Sequence, residues 1–165
     1  MILMAHSDKK TSSDAISGDV EPRTWTGRNC IPALPSVATW VREELLSVLA
    51  HLKWTAGDLF AVGLAVEEAL ANAIKHGSHG RPDSQIYFSY EASPKRVRVK
   101  ITDSGEGFDP FAVLHRDREA HRGAPSGRGL SLMLRYMDRV EYNHRGNRVI
   151  LEKRVCGQSK RRAAT

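Results

Sequence analysis

The hydrophobic period of this chain changes from helical to two near residue 84, and that change restricts the fold more than any other feature. Upstream, Val37, Trp40, Val41, Leu45, Val48 and Leu49 recur at helical spacing after Pro35 and Ser36. Ser36 is a good N-cap, so a first helix is predicted to run to about His51. The stretch "KWTAGDLF" then turns the chain. Thr55 or Asp58 can cap a second helix that continues to Lys75 or His76 and stops at Gly77. Downstream, "SQIYFSYEA" and "RVRVKITD" alternate with period two, and "ASPK" between them is a turn, which predicts an antiparallel hairpin with one buried face. A third helix, "LSLMLRYMDRV", leads into a final hairpin whose turn is Arg145-Gly146-Asn147. Ahead of the first helix, "RTWTGRNCIPA" reads as a short extended stretch.

A chain of 165 residues with 41% hydrophobic residues suits one domain with its own core, expected over residues 23–156. Residues 1–22 and 157–165 are read as tails, because their polar composition buries too little apolar area to offset the entropy of ordering them. The net charge of +6 and pI near 9.6 come partly from those tails and do not by themselves select a nucleic-acid or anionic partner. No apolar run approaches the roughly twenty residues needed to cross a bilayer, and "MILMAHSDKK" has too short an apolar segment for a secretory signal. A cytoplasmic protein without membrane attachment is expected. Cys30 and Cys156, with no CxxC spacing, give neither a disulfide framework nor a zinc site.

The second helix carries the first chemical signal. Leu59, Val62, Val66, Ala69, Leu70 and Ala73 form one apolar face, and Glu68 with Asn72 points away from it. A solvated polar face is one reading. Yet Ala61, Leu64, Ala65 and Ala71 lie on or beside the Glu68 side, so the helix is apolar nearly all round, which is the pattern of a covered helix. A covered carboxylate and amide must be paired, hydrogen-bonded or bound to an ion. Both readings stand on this helix alone. His76, beside the Gly77 stop, is explained by the helix dipole, so capping or packing is preferred to ligation.

Two glycine stretches follow. "DSGEGF", Asp103 to Phe108, puts an acid at a strand end before two residues that admit close backbone approach. A calcium loop would need oxygen ligands where Gly105 and Gly107 stand. "SGRGL", Ser126 to Leu130, places Gly127 and Gly129 just before a helix, where free N–H groups favour an anion; a flexible loop is the alternative. No Walker-type loop and no dinucleotide fingerprint is present. The irregular stretch from Asp103 to Gly129 is long for a compact domain, and such loops are functional or disordered.

In order, "VEEALANAIKHG", "VKITDSGEGFDP", "GRGLSLMLRYMDRVEY" and "GNRVILEKR" resemble the ATP-binding GHKL superfamily shared by DNA gyrase, sensor histidine kinases and MutL. Within it, the chain is most similar to the anti-sigma-factor serine kinases of bacterial partner-switching systems, over about Arg28 to Val155. The resemblance implies a two-layer α/β sandwich of the Bergerat type, with three main helices on one face of a mixed, mainly antiparallel sheet. It implies ATP and Mg²⁺ as cofactors, with Asn72 on the metal and Glu68 as the catalytic base. Asp103 would accept from the adenine amine, Gly105 and Gly107 would pack on the base, and Gly127, Arg128, Gly129 and Leu130 would close over the phosphates. The Asp109 to Ser126 loop would be an ATP lid.

The partners so implied are a sigma factor and a STAS-type antagonist phosphorylated on Ser or Thr, with homodimerisation common among relatives and no direct contact with nucleic acid. A nucleotide-dependent sequestering module without catalysis is the second reading. A histidine kinase fragment lacks room for a phosphoacceptor helical hairpin, and DNA binding through the basic tails is weaker still. Two departures bear on turnover: Ala124-Pro125 stands where some family kinases carry Glu-Arg, leaving Arg122 or Arg128 to supply the cation, and Asn147 stands in place of a common Thr.

Overall fold

A computed structural model describes residues 24–77, 81, 83–109 and 128–155. The elements are β1 (Trp25–Pro32), α1 (Pro35–His51), α2 (Ala56–Asn72) continued by a π-helical turn (Ala73–Gly77), β2 (Gln85–Ala92), β3 (Arg96–Asp103), α3 (Arg128–Tyr136), β4 (Arg139–Tyr142) and β5 (Arg148–Arg154). The strands form one five-stranded sheet in the order β1-β2-β3-β5-β4. Every pairing in it is antiparallel, so the parallel component of a mixed sheet is not found among the described residues. The helices pack on one face, which gives the two-layer α/β sandwich.

Strand alternation sets which face is buried. Ile86, Phe88, Tyr90 and Ala92 of β2, and Val97, Val99 and Ile101 of β3, turn toward the helices, while Tyr87 and Lys100 face out. Opposite them, Val41, Leu45 and Leu49 of α1 and Val62, Val66 and Leu70 of α2 are sealed at helical spacing. Burying each of these large side chains contributes about 1.5–3 kcal/mol against leaving it in water. Leu130 and Met133 of α3 complete the core.

Local chemistry explains the boundaries. Thr55 caps α2: its hydroxyl oxygen accepts from the Asp58 N–H at 3.1 Å, and the hydroxyl donates to Asp58 Oδ2 at 2.8 Å. The cap expected of Ser36 is not made. The helix begins one residue earlier, at Pro35, with Leu34 in the cap position and no side-chain bond. Proline at the first helical position lacks an N–H that would have had no partner there, and its fixed φ suits the helix, so a polar cap is dispensable. Trp40, expected on the buried face of α1, is 54% exposed. The extended stretch ahead of α1 becomes β1, an edge strand paired with β2 along its whole length. The polar Cys30 Sγ there is exposed and donates to Gln85 Oε1 at 3.3 Å, whereas Cys156 and both tails lie outside the described residues.

Candidate functional site

α2 lies between α1 and α3 and over the sheet, which is why a helix this apolar can be stable. Ala61 and Ala65 are buried although they sit on the Glu68 side, and Glu68 and Asn72 are each partly buried. The polar stripe is therefore neither a fully solvated face nor a sealed one; it lies where α2 meets α3. At the start of α3, a Cβ built on Gly129 would meet Glu68 Oε2 at 2.5 Å. The carboxylate thus fills the space left by that glycine, beside the N-terminal end of the helix dipole.

One turn further along α2, Asn72 lines a small recess between helix and sheet. Its other walls include Ala73, His76, Gly77, Ile101, Asp103, Gly107, Phe108, Tyr142 and Asn147. Asp103 closes β3 and is held on several sides. Its N–H donates to the Asn147 carbonyl at 3.0 Å, its carbonyl accepts from Asn147 Nδ2 at 2.9 Å, and its Oδ1 accepts from the Gly105 N–H at 2.8 Å. Burial raises the Asp103 pKa, opposed by the backbone N–H groups at Gly105 and at Asp103 itself and by Arg145 and His76.

The glycines around Asp103 are required by close approach. A Cβ on Gly77 would collide with the Asp103 carboxyl, and one on Gly105 would come within 2.5 Å of the Gly77 Cα. Gly107 (φ +83°) and Gly146 (φ +74°) take the left-handed conformation and pass each other so closely that side chains would strike the Arg145 and Phe108 carbonyls. The π-helical turn carries the chain from Asn72 to Gly77 and so delivers that glycine to Asp103. It also sets the His76 ring 6.2 Å from the Phe108 ring.

Asn72, Asp103 and Gly107 thus share one recess, Gly105 backs Asp103, and Glu68 meets Gly129 a helical turn away. Leu130, by contrast, is 4% exposed and packs in the core rather than lining the recess. Arg128 opens α3, while Gly127 and residues 110–126, which include Arg122, Ala124 and Pro125, lie outside the described residues. Tyr142 and Phe108 were not anticipated as site residues. Asn147 does hydrogen-bond, bridging Asp103 and Asn143 Nδ2, the latter at 2.9 Å.

The recess offers an acid, an amide and an aromatic wall to a flat polar ligand, and glycines with a helix start to an anion. Among the described residues no group of three or more His, Cys, Asp or Glu could hold a metal. A cation there would have Asn72 as a protein oxygen ligand and take others from a bound anion. The Tyr142 hydroxyl is buried in the wall without a hydrogen-bond partner, as a group does when its partner is a ligand.

Residues 31–153 match the histidine kinase-like ATPase domain, and the chain belongs to that family. Over 138 residues it is 27% identical to the serine-protein kinase RsbW of Bacillus subtilis, covering 78% of this chain and 84% of that protein. It is 28% identical over 116 residues to the serine/threonine-protein kinase BtrW of Bordetella bronchiseptica, covering 67% and 82%. It is 29% identical over 116 residues to an anti-sigma F factor of Bacillus cytotoxicus, covering 66% and 76%.

Proposed function

We propose that this chain, through a domain spanning residues 23–156, binds ATP with Mg²⁺ and acts as an anti-sigma serine/threonine kinase. In this reading it sequesters a sigma factor in the cytoplasm and phosphorylates a STAS-type antagonist. The observation that carries the reading is the order along one helix: Asn72 on the Asp103 recess, and Glu68 one turn away against Gly129. The names of its relatives, serine-protein kinase and anti-sigma F factor, support the partner class.

When bound, ATP·Mg²⁺ supplies the phosphoryl group and neutralises charge as it transfers. The chain's own residues do the positioning. Asp103 accepts from the adenine amine, with Gly105 and Gly107 admitting the base. Asn72 offers its amide oxygen to the metal, and Gly127, Arg128 and Gly129 present the start of α3 to the phosphates. Leu130 holds that start down by packing into the core. Glu68, next to the phosphate end, takes the proton of the substrate hydroxyl.

The second reading, sequestration without turnover, is favoured by Ala124-Pro125 in place of the Glu-Arg pair of some related kinases. Incubation with labelled ATP and purified antagonist separates the two. Transfer that falls at least about a hundredfold in Glu68→Gln supports the kinase. Tight ATP binding with no transfer by the unaltered protein supports the module.

A further inference from the structure

Tyr142 stands at an inward-facing position of β4, opposite Val149, where strand alternation calls for an apolar side chain. Its ring is used that way, meeting Phe108 edge-on at 5.2 Å and 71°. The hydroxyl is not accounted for. It is shielded from solvent and has no hydrogen-bond partner. The Asn72 amide faces it and favours its ionised form, but the pair does not reach hydrogen-bond geometry.

Asp103 Oδ1 takes the Gly105 N–H, Asn147 Oδ1 takes the Asn143 amide, and the Asp103 carbonyl takes the Asn147 amide. A buried hydroxyl without a partner destabilises a fold, and phenylalanine would avoid that penalty at the same position. Burial pushes the Tyr142 pKa well up, so the group stays an O–H donor at all physiological pH.

We infer that Tyr142 is a base-recognition residue whose hydroxyl donates to a ring acceptor of the bound nucleotide, an inference that rests on the nucleotide reading above. The recess then presents an acceptor, the Asp103 carboxyl, and a donor, Tyr142. The complementary ligand edge carries a donor beside an acceptor, as the amino group and adjoining ring nitrogen of a 6-aminopurine do.

The test is Tyr142→Phe, which keeps the ring and its packing. Calorimetry with ATP is expected to show about fivefold weaker binding, the same with Mg²⁺ as with a chelator, because the contact is to the base. Thermal unfolding without nucleotide is expected to be unchanged or shifted upward. Unchanged ATP affinity overturns the inference. So does a lowered melting temperature, which would mean the hydroxyl is bonded inside the fold, and so does a loss confined to Mg²⁺, which would mean that it acts through Asn72. If the unaltered protein binds no ATP, the nucleotide reading itself fails and this inference falls with it; if it binds ATP while Tyr142→Phe binds equally well, only the assignment of Tyr142 fails.

Discussion

The Glu68 carboxylate occupies the place that a side chain at residue 129 would need, with Oε2 2.5 Å from the position of a Cβ on Gly129. The obstructing atom is the free end of a flexible side chain, so Gly129→Ala can be accommodated by moving the carboxylate. The variant is expected to unfold within about 1 kcal/mol of the unaltered protein in urea. Phosphotransfer is expected to fall about a hundredfold, because a base displaced by an ångström is out of reach. An assay showing full activity would mean that the Glu68 position is not used.

Gly146 gives the opposite contrast. Its φ of +74° disfavours any side chain, and the obstacle is the Phe108 backbone, which cannot step aside. Gly146→Ala is expected to lose at least about 2 kcal/mol of stability in urea denaturation. Gly107→Ala, at φ +83° against the Arg145 backbone, should behave alike.

Asp103 links function to pH. Its folded-state pKa is raised by burial, so its contribution to stability is greatest in acid and is lost as pH rises through that value. Above that value the charged carboxylate is a burden on the fold. Asp103→Asn is expected to melt no lower than the unaltered protein at neutral pH, yet to bind ATP about tenfold or more weakly. ATP affinity of the unaltered protein should begin to decline, on acidification, at a higher pH than for an ordinary aspartate. Calorimetry across a pH series checks both.

Lys153 ties the far end of the same helix pair. Its Nζ donates to the Tyr136 carbonyl at 3.0 Å, at the end of α3, and lies 3.7 Å from Asp58 Oδ1 at the start of α2. Both side chains are 15% exposed, so screening is partial. Lys153→Met keeps the aliphatic stem and is expected to cost about 1–2 kcal/mol by thermal unfolding.

Much of this arrangement was legible in the sequence because it depends on local periodicity. The strands follow from strict alternation in "QIYFSYEA" and "RVRVKITD", and the covering of α2 follows from Ala61 and Ala65 standing beside Glu68. What escaped depends on contacts distant in the chain. Tyr142 reads as a core aromatic, because nothing in "RVEY" says that its hydroxyl ends beside Asn72. The Glu68 contact with Gly129 joins residues on separate helices. The π-helical turn looks, in sequence, like the last turn of an ordinary helix, so the approach of Gly77 to Asp103 was hidden in its geometry.

The central claim is that one nucleotide reaches from the Asp103 recess to the Glu68–Gly129 contact, with Asn72 between them. Calorimetric titration with ATP, with and without Mg²⁺, on the unaltered protein and on Asn72→Ala, tests it most directly. The account predicts one ATP per chain, bound more tightly with Mg²⁺, and loss of that Mg²⁺ enhancement in Asn72→Ala. An Asn72→Ala protein that binds ATP·Mg²⁺ as tightly as the unaltered chain would contradict it.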